Sequence, residues 1–241
     1  MTLPKIDLPT YDVKLPSSGQ IVKIRPFLVR EEKLLLMAVE SDDTNEIINV
    51  TKQVINNCII NNDVNVETLP FFDVDYLFIA LRAKSVGESI EVKFTCNNMV
   101  NDAMCNNVFP ANIDIANCEI VKDDTIKNIV DLGKNIKLKM KYPNYTTMKS
   151  ILDNDTVLNK QLNILAGSID QIIDGDKIHT SKDVTKQELL QFLEGLTKEQ
   201  YNRAVEFIEN FPSFAISVNA KCTRCGFDHS LIYNEFSSFF V

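Results

Sequence analysis

Four cysteines in two distant stretches are the residues of this sequence best suited to chemistry. Cys222 and Cys225 are separated by two residues and followed by Gly226, a spacing that lets both sulfurs face one point. Cys96 and Cys105 are separated by eight residues, which is longer than the roughly two to four residues common between metal ligands. Because four thiolates make a closed tetrahedral site, the two pairs together predict one structural zinc ion with all four cysteines as its ligands.

The sequence is also compatible with two other states of these cysteines. All four could be reduced thiols without a metal, or one pair could form a disulfide. The N-terminal residues show no apolar segment or cleavage site of a secretory signal, so we expect a reducing environment that disfavours the disulfide. His229 is a possible substitute ligand, but on a strand it would share a face with Phe227 and Leu231, so we expect a half-buried histidine outside the metal site.

Alternating apolar residues place both cysteine pairs at the ends of strands. The alternating residues are Ile90, Val92 and Phe94 before Cys96, and Phe214, Ile216, Val218 and Ala220 before Cys222. A second extended run follows each pair, so we predict two β-hairpins with thiols at their tips, which form the halves of a zinc-ribbon-like structure. Cys58 falls on the apolar face of a predicted helix, where a thiol acts as a small hydrophobe, and Cys118 stays unassigned.

Composition and charge narrow the class of protein. The chain has 241 residues, of which 45% are hydrophobic, and this is enough for a substantial core. Its 33 acidic and 25 basic residues give a net charge of −8, which disfavours nucleic acid or an anionic membrane as the partner. No run approaches the ~20 apolar residues that span a bilayer. We therefore expect protein partners.

Signatures of catalysis are weak in this sequence. The glycines form neither Gly-x-Gly-x-x-Gly nor a phosphate-binding loop, which argues against a nucleotide site. The two histidines, His179 and His229, do not form the His-Glu-x-x-His motif of a catalytic zinc site. We expect a protein without enzymatic activity and without a small-molecule substrate.

The order of the patterns predicts an α+β fold that opens with a hairpin and helices in region 1–87. Strands at 11–15 and 20–24 alternate apolar and polar residues around a Pro-Ser-Ser-Gly turn. A helix that buries residues 34–39 and a second amphipathic helix are predicted to follow. A third helix, apolar nearly all round, has Asp73 or Asp75 as its predicted cap.

The rest of the sequence predicts a helical subdomain inserted between the two halves of the zinc ribbon. Regions 88–123 and 212–241 would form the split ribbon and a C-terminal tail. Region 124–211 would begin with an edge strand at 136–142, whose alternating lysines, Lys137, Lys139 and Lys141, would form its solvated face. Helices would follow, because residues such as Leu165, Ile169 and Ile172 recur at three- and four-residue steps. Capping boxes at Thr185-x-x-Glu188 and Thr197-x-x-Gln200 predict two helix starts. The closing Phe236–Val241 would pack on its own core or contact a partner.

Several stretches resemble one protein family. Arg25–Ser41, Phe72–Phe78 and Leu81–Glu88, together with Glu194-Gly-Leu and the closing Phe236–Phe240, resemble the baseplate hub family of T-even-type contractile-tailed phages. The similarity extends over nearly the full length and is most specific before residue 90.

This resemblance implies a role in phage tail assembly. Members of the family are structural hub subunits or hub assembly catalysts, which help the hub to form without a classical chemical reaction. The implied partners are other baseplate hub and tail proteins. The implied location is the tail baseplate of the virion, after assembly in the host bacterial cytoplasm.

Overall fold

A computed structural model of the chain describes residues 6–61, 63–123, 125–152, 156–180 and 183–233. Within these residues helices combine with several small sheets, which confirms the predicted α+β class. The chain divides into two compact units. The first consists of Met1–Val66, Phe72–Val121 and Ser213–Val241, and the second of Glu67–Phe71 and Lys122–Pro212. The predicted division into three regions stays a prediction.

The elements are numbered in chain order. The described strands are β1 (Tyr11–Lys14), β2 (Ile21–Ile24), β3 (Ser89–Thr95), β4 (Met99–Val100), β5 (Ala103–Met104), β6 (Val108–Asp114), β7 (Glu119–Val121), β8 (Ile129–Gly133), β9 (Ile136–Met140), β10 (Ile169–Asp174), β11 (Lys177–Thr180), β12 (Ser213–Lys221) and β13 (Asp228–Tyr233). The described α-helices are α1 (Val29–Glu40), α2 (Thr44–Cys58), α3 (Phe71–Ser85), α4 (Tyr145–Leu152), α5 (Val157–Ser168), α6 (Lys186–Glu194) and α7 (Lys198–Glu209). Every described helix is too short or too polar to cross a membrane. The closing Phe236–Val241 lies outside the described residues.

The N-terminal hairpin of the first unit is confirmed. β1 and β2 pair antiparallel with Val13 opposite Val22, and both side chains are buried. The predicted burial of residues 34–39 in α1 is partly wrong, because Leu36 and Met37 are exposed. A helix turns only every third or fourth residue toward the same side, so a continuous apolar run cannot all face the core.

Helix α3 is the most completely buried helix of the first unit. Its buried apolar side chains are Phe72, Val74, Leu77, Phe78, Ile79 and Leu81. The helix begins at Phe71, so the predicted cap at Asp73 or Asp75 is wrong. The Asp73 carboxylate instead accepts hydrogen bonds from the backbone N–H of Ser17, at 3.0 Å, and from the Ser17 hydroxyl. These bonds satisfy a buried charge and tie α3 to the turn after β1.

The second unit contains a four-stranded antiparallel sheet in the order β11-β10-β9-β8. The sequence predicted one edge strand and otherwise helices for region 124–211, and this part of the prediction is wrong. β9 lies inside the sheet, paired with both β8 and β10. Lys137 and Lys139 alternate with the buried Leu138 and Met140, so the lysines lie on the outer face of an interior strand.

A β-bulge explains why β10 resembles a helix in the sequence. The pairing of β10 with β9 shifts register between Ile169 and Gln171, and Ile169 and Ile172 are both buried in the core of this unit. A regular strand brings every second residue to one face, whereas a bulge adds a residue and changes the spacing to three. A spacing of three is the pattern that indicates a helix.

Both predicted capping boxes are confirmed in the second unit. The Glu188 carboxylate accepts the backbone N–H of Thr185 at 2.7 Å, and the Thr185 hydroxyl accepts the backbone N–H of Glu188 at 3.2 Å. Thr197 and Gln200 exchange the equivalent bonds at 3.0 and 3.3 Å. Gln200 also donates to the carbonyl of Leu132 at 2.7 Å, so this cap fixes α7 against β8.

Helices α4 and α5 pack closely at Gly167, where we expect an alanine to be destabilising. A Cβ atom at Gly167 would overlap Cγ2 of Thr147. The Thr147 hydroxyl is hydrogen-bonded to Asn144 at 3.0 Å, which restrains the methyl group. Alanine gains about 1 kcal/mol of helix propensity over glycine, but forced overpacking costs about 1–3 kcal/mol. Urea unfolding of Gly167→Ala should therefore show a net loss of stability.

A second substitution at the same contact provides the control. Thr147→Ser removes the overlapping methyl group and keeps the hydroxyl that bonds Asn144. The double variant should recover the lost stability, because only the favourable helix propensity of alanine then remains. If the single variant Gly167→Ala were as stable as the unmodified chain, this result would contradict the packing argument.

Candidate metal centre

The first cysteine pair lies at the end of the hairpin formed by β3 and β6. These strands pair antiparallel in a register that places Phe94 opposite Phe109. Backbone hydrogen bonds continue past the strands, from Cys96 N–H to the Asn107 carbonyl at 2.8 Å and from Asn106 N–H to the Cys96 carbonyl at 3.0 Å. The predicted hairpin is therefore confirmed, and Cys96 and Cys105 are held next to each other.

A small inserted hairpin explains the eight-residue spacing of this pair. β4 and β5 pair with Met99 opposite Met104, and the turn residues Asn101 and Asp102 have φ values of 50° and 63°. Such values suit asparagine and aspartate in a tight hairpin turn. The chain thus leaves and returns between the two cysteines, and the long spacing does not separate their sulfurs.

The second pair lies at the end of the hairpin formed by β12 and β13. Gly226 has a φ of 72° and donates its backbone N–H to the Cys222 carbonyl at 3.0 Å, while Cys222 N–H donates to the Phe227 carbonyl at 2.9 Å. Asn106, directly after Cys105, has a φ of 48°. Both pairs therefore end in a left-handed residue, which is glycine in one case and asparagine in the other.

Aromatic side chains fill the space between the two hairpins. Phe94 of β3 meets Tyr233 of β13 edge-on with ring centroids 6.3 Å apart, and Phe109 of β6 stacks on His229 of β13 at 5.5 Å. Cys96, Cys105 and Cys222 are buried beside these rings, and Cys225 is half-buried. The packing brings together two segments that are far apart in the sequence.

All four predicted ligands meet in one place, here called the cysteine cluster (Cys96, Cys105, Cys222 and Cys225). The four sulfurs lie within 4.8 Å of one another. The Sγ atoms of Cys96 and Cys225 are 3.6 Å apart, and those of Cys105 and Cys222 are 3.9 Å apart. Tetrahedral zinc with Zn–S bonds of about 2.3 Å requires sulfurs about 3.8 Å apart, so the cluster fits this ion. The cysteines of the cluster are free thiols in this structure, and its closest sulfurs, 3.6 Å apart, are well beyond the ~2.05 Å of a disulfide bond.

The four thiols differ in their electrostatic surroundings. Burial raises the pKa of Cys222, but the backbone N–H groups of Cys225 and Arg224 and the side chain of Asn107 outweigh it and lower this pKa to about 6. The backbone N–H of Phe227 lowers the pKa of Cys225. Burial raises the pKa of Cys96 to about 12. Adjacent thiolates repel each other, and a bound cation would offset this repulsion.

Asparagines that the sequence analysis missed also surround the cluster. Asn98 directs its amide N–H toward Cys225 Sγ at 3.7 Å, and Asn107 directs its amide N–H toward Cys222 Sγ at 3.6 Å. Each lies two residues after a cysteine of the first pair, within a Cys-Asn-Asn triplet that occurs at 96–98 and again at 105–107. This repeated triplet was the signal that could have identified them.

His229 is more buried than predicted and touches the cluster. It is 6% exposed, and its Nε2 lies 3.3 Å from Cys96 Sγ. Among the described residues, the group of atoms close enough to share a metal consists of the four sulfurs alone. His229 is therefore placed beside the ligand set and not within it.

The remaining cysteines are unrelated to the cluster. Cys58 is fully buried at the end of α2, and burial raises its pKa to about 11. Cys118 is also buried, and its pKa is likewise raised to about 11. Both thiols are protonated at neutral pH, so each acts as a small hydrophobe.

Comparison with known proteins identifies the family. The family model described as T4 bacteriophage base plate protein matches residues 8–241, which is nearly the whole chain. No curated protein and no solved structure gives a significant match. The resemblance to a phage baseplate family is therefore confirmed over residues 8–241, and this chain belongs to the T4 bacteriophage base plate protein family.

Proposed function

We propose that this protein is a structural subunit of the baseplate hub of a contractile-tailed, T-even-like phage. The observation that carries the proposal is the family match over residues 8–241. The subunit would act through contacts with other hub and tail proteins, without enzymatic activity, and would be assembled in the host cytoplasm. Exposed apolar side chains support a contact role, among them Val29 at 80%, Ile232 at 73% and Met99 at 58% exposure.

A transient hub assembly factor is the alternative within the same family. Quantitative mass spectrometry of purified virions separates the two roles. A structural subunit should appear at a fixed copy number relative to other baseplate proteins, in intact particles and in isolated baseplates. Abundance in infected-cell extracts together with absence from virions would replace the structural role with the assembly role.

We also propose that the cysteine cluster binds one structural zinc ion and forms a zinc-ribbon-like centre. The support is the mutual distance of the sulfurs, at most 4.8 Å, and their origin in two separate hairpins. A site with four thiolate ligands has no open position for substrate, so the ion would join the hairpins and would not catalyse a reaction.

Elemental analysis tests this assignment directly. The purified chain should contain about one zinc ion, because one tetrahedral site needs all four sulfurs. Cys222→Ser should lose the zinc, since a serine hydroxyl is a poor replacement for a thiolate. Cys118→Ala, which removes a buried thiol outside the cluster, should keep it. Stoichiometric zinc that persists in Cys222→Ser would contradict the ligand assignment.

A zinc-ribbon nucleic-acid-binding protein is the second candidate, and the cysteine cluster is the observation that favours it. The net charge of −8 opposes it, because affinity for nucleic acid depends on neutralising phosphates with basic residues. Gel shifts at low salt should show no binding to duplex or single-stranded DNA. A complex that weakens steeply with added salt would support this candidate.

A further inference from the structure

Side-chain nitrogen atoms approach three of the four sulfurs in the cysteine cluster. Asn98 faces Cys225 at 3.7 Å, Asn107 faces Cys222 at 3.6 Å, and Nε2 of His229 faces Cys96 at 3.3 Å. These side chains come from both hairpins, and each approaches a different sulfur. Apolar side chains would be enough to bury the cluster, so burial alone does not explain a nitrogen atom beside each of three sulfurs.

Two of these side chains are held in place by additional contacts. The His229 ring stacks on Phe109 at 5.5 Å and meets Phe227 edge-on at 4.8 Å. The Asn107 amide nitrogen also lies 3.0 Å from the Thr223 hydroxyl, in addition to its bond to Cys222. A thiolate accepts hydrogen bonds and does not donate them, so the amide nitrogens and a protonated Nε2 are the groups that suit charged sulfurs.

We propose that Asn98, Asn107 and His229 form a second shell of N–H donors that stabilises a doubly negative metal–tetrathiolate centre. The inference rests on the proposed metal site and concerns residues that contact the ligand sulfurs without coordinating the metal. A divalent ion with four thiolates carries a net charge of −2, and burying that charge is unfavourable without hydrogen-bond donors. Removal of such second-shell partners typically weakens metal binding about 10- to 100-fold.

The Cys-Asn-Asn triplets supply a matched test of the asparagines. Asn98→Asp with Asn107→Asp replaces two donors near sulfur by carboxylates, whereas Asn97→Asp with Asn106→Asp makes the same charge change at the exposed neighbouring positions. Zinc affinity, measured by competition with a chelator, should fall at least about 10-fold in the first double variant. In the second double variant it should stay near that of the unmodified chain.

His229→Phe tests the histidine with its packing retained. Phenylalanine can keep the stack on Phe109 but has no N–H, so zinc affinity should fall about 10-fold. His179→Phe, at an exposed position on β11, is the control and should leave it unchanged. Stability of the metal-free variants, measured separately, shows whether packing alone explains a loss of affinity.

A spectroscopic measurement reports the hydrogen bond itself. In protein loaded with ¹¹³Cd, the proton on His229 Nε2 should show a scalar coupling to the metal transmitted through Cys96 sulfur. A ¹⁵N shift typical of direct coordination would instead make His229 a ligand and overturn the proposal for this residue.

The affinity measurements separate the second shell from the zinc site. Unchanged zinc affinity in the Asn98→Asp, Asn107→Asp double variant and in His229→Phe would overturn the second shell while leaving the zinc site intact. An unmodified chain that takes up no metal would remove the metal site and the second shell together.

Discussion

Removal of the proposed zinc ion is expected to unfold the paired hairpins of the first unit. Hairpin β12–β13 continues through β12 into a three-stranded sheet with β7, whereas β3 and β6 form a two-stranded sheet. The two hairpins are joined by aromatic contacts, by the hydrogen bonds Asn107–Thr223 and Arg224–Cys105, and by the cysteine cluster. A two-stranded sheet such as β3–β6 is at best marginally stable on its own in water, and three short strands such as β13-β12-β7 need a hydrophobic face to pack against. Structural zinc contributes on the order of 10 kcal/mol to folding in small zinc domains. We therefore expect chelation to abolish most of the stability of this region.

Hydrogen exchange followed by mass spectrometry measures this effect locally. After chelation, peptides covering 89–114 and 213–233 should exchange rapidly, while those covering β9 and α7 should stay protected. The second unit has its own hydrophobic core, built from residues such as Leu138, Leu165 and Phe207, so we expect its protection to be independent of the proposed zinc ion. Cys222→Ser should reproduce the effect of chelation without a chelator. Unchanged protection of the hairpins in both experiments would contradict a structural role for the metal.

The cysteine cluster was predictable because its signals are local. Alternating apolar residues fix each strand and the side that faces inward, and the spacing between Cys222 and Cys225 fixes the turn. The eight-residue spacing between Cys96 and Cys105 was the weaker signal, because the structure of the residues between these cysteines could not be predicted. The strands of the inserted hairpin, β4 and β5, have only two residues each, which is too short to show a periodic pattern of apolar residues.

The errors in the second unit have a different origin. The bulge after Ile169 in β10 converts a strand into a helix-like spacing, and the pairing partners of β9 depend on strands that are distant in sequence. Lys137 and Lys139 suggested an edge because lysine often protects exposed strand edges. Exposure of one face of an interior strand gives the same alternation, and only the tertiary arrangement distinguishes the two cases.

The position of His229 shows a similar limit. Its place on β13 facing inward followed from the alternation of the strand, but its contact with Cys96 depends on how two hairpins from distant parts of the chain pack together. Pairwise packing of this kind leaves no periodic mark in the sequence.

Removal of the negative charge of Glu31, which lies outside the cysteine cluster, is expected to destabilise the fold strongly. Its side chain is 1% exposed, and the carboxylate bonds Arg25 at 3.1 Å and Arg30 at 2.8 Å. It also accepts the backbone N–H of Leu28 at 2.8 Å at the start of α1. Glu31→Gln keeps the size of the side chain but leaves the largely buried Arg25 without its charge partner, which costs about 3 kcal/mol. Urea unfolding at neutral pH measures the loss.

Glu32 provides the matched control in the same helical turn. Its side chain is exposed, so Glu32→Gln should change stability by less than about 0.5 kcal/mol. A loss of similar size in both variants would point to the helix dipole, which acts on any carboxylate in the first turn. A loss confined to Glu31→Gln supports the buried ion pair.

The pH dependence of the Glu31→Gln effect has a defined sign. Burial raises the pKa of Glu31, but hydrogen bonds from Arg30, the Leu28 N–H and Arg25 outweigh it and lower this pKa to about 2, from an ordinary value of 4.5. A depressed carboxyl pKa stabilises the fold fully above the ordinary value, and that stabilisation is lost as the pH falls through the folded-state value. The stability difference between the unmodified chain and Glu31→Gln should therefore be constant from pH 7 to about 5 and shrink toward pH 2. Other acid-sensitive groups, including the thiolates, are common to both proteins and largely cancel in the difference, so a gap that persists unchanged at pH 2 would contradict the ion-pair explanation.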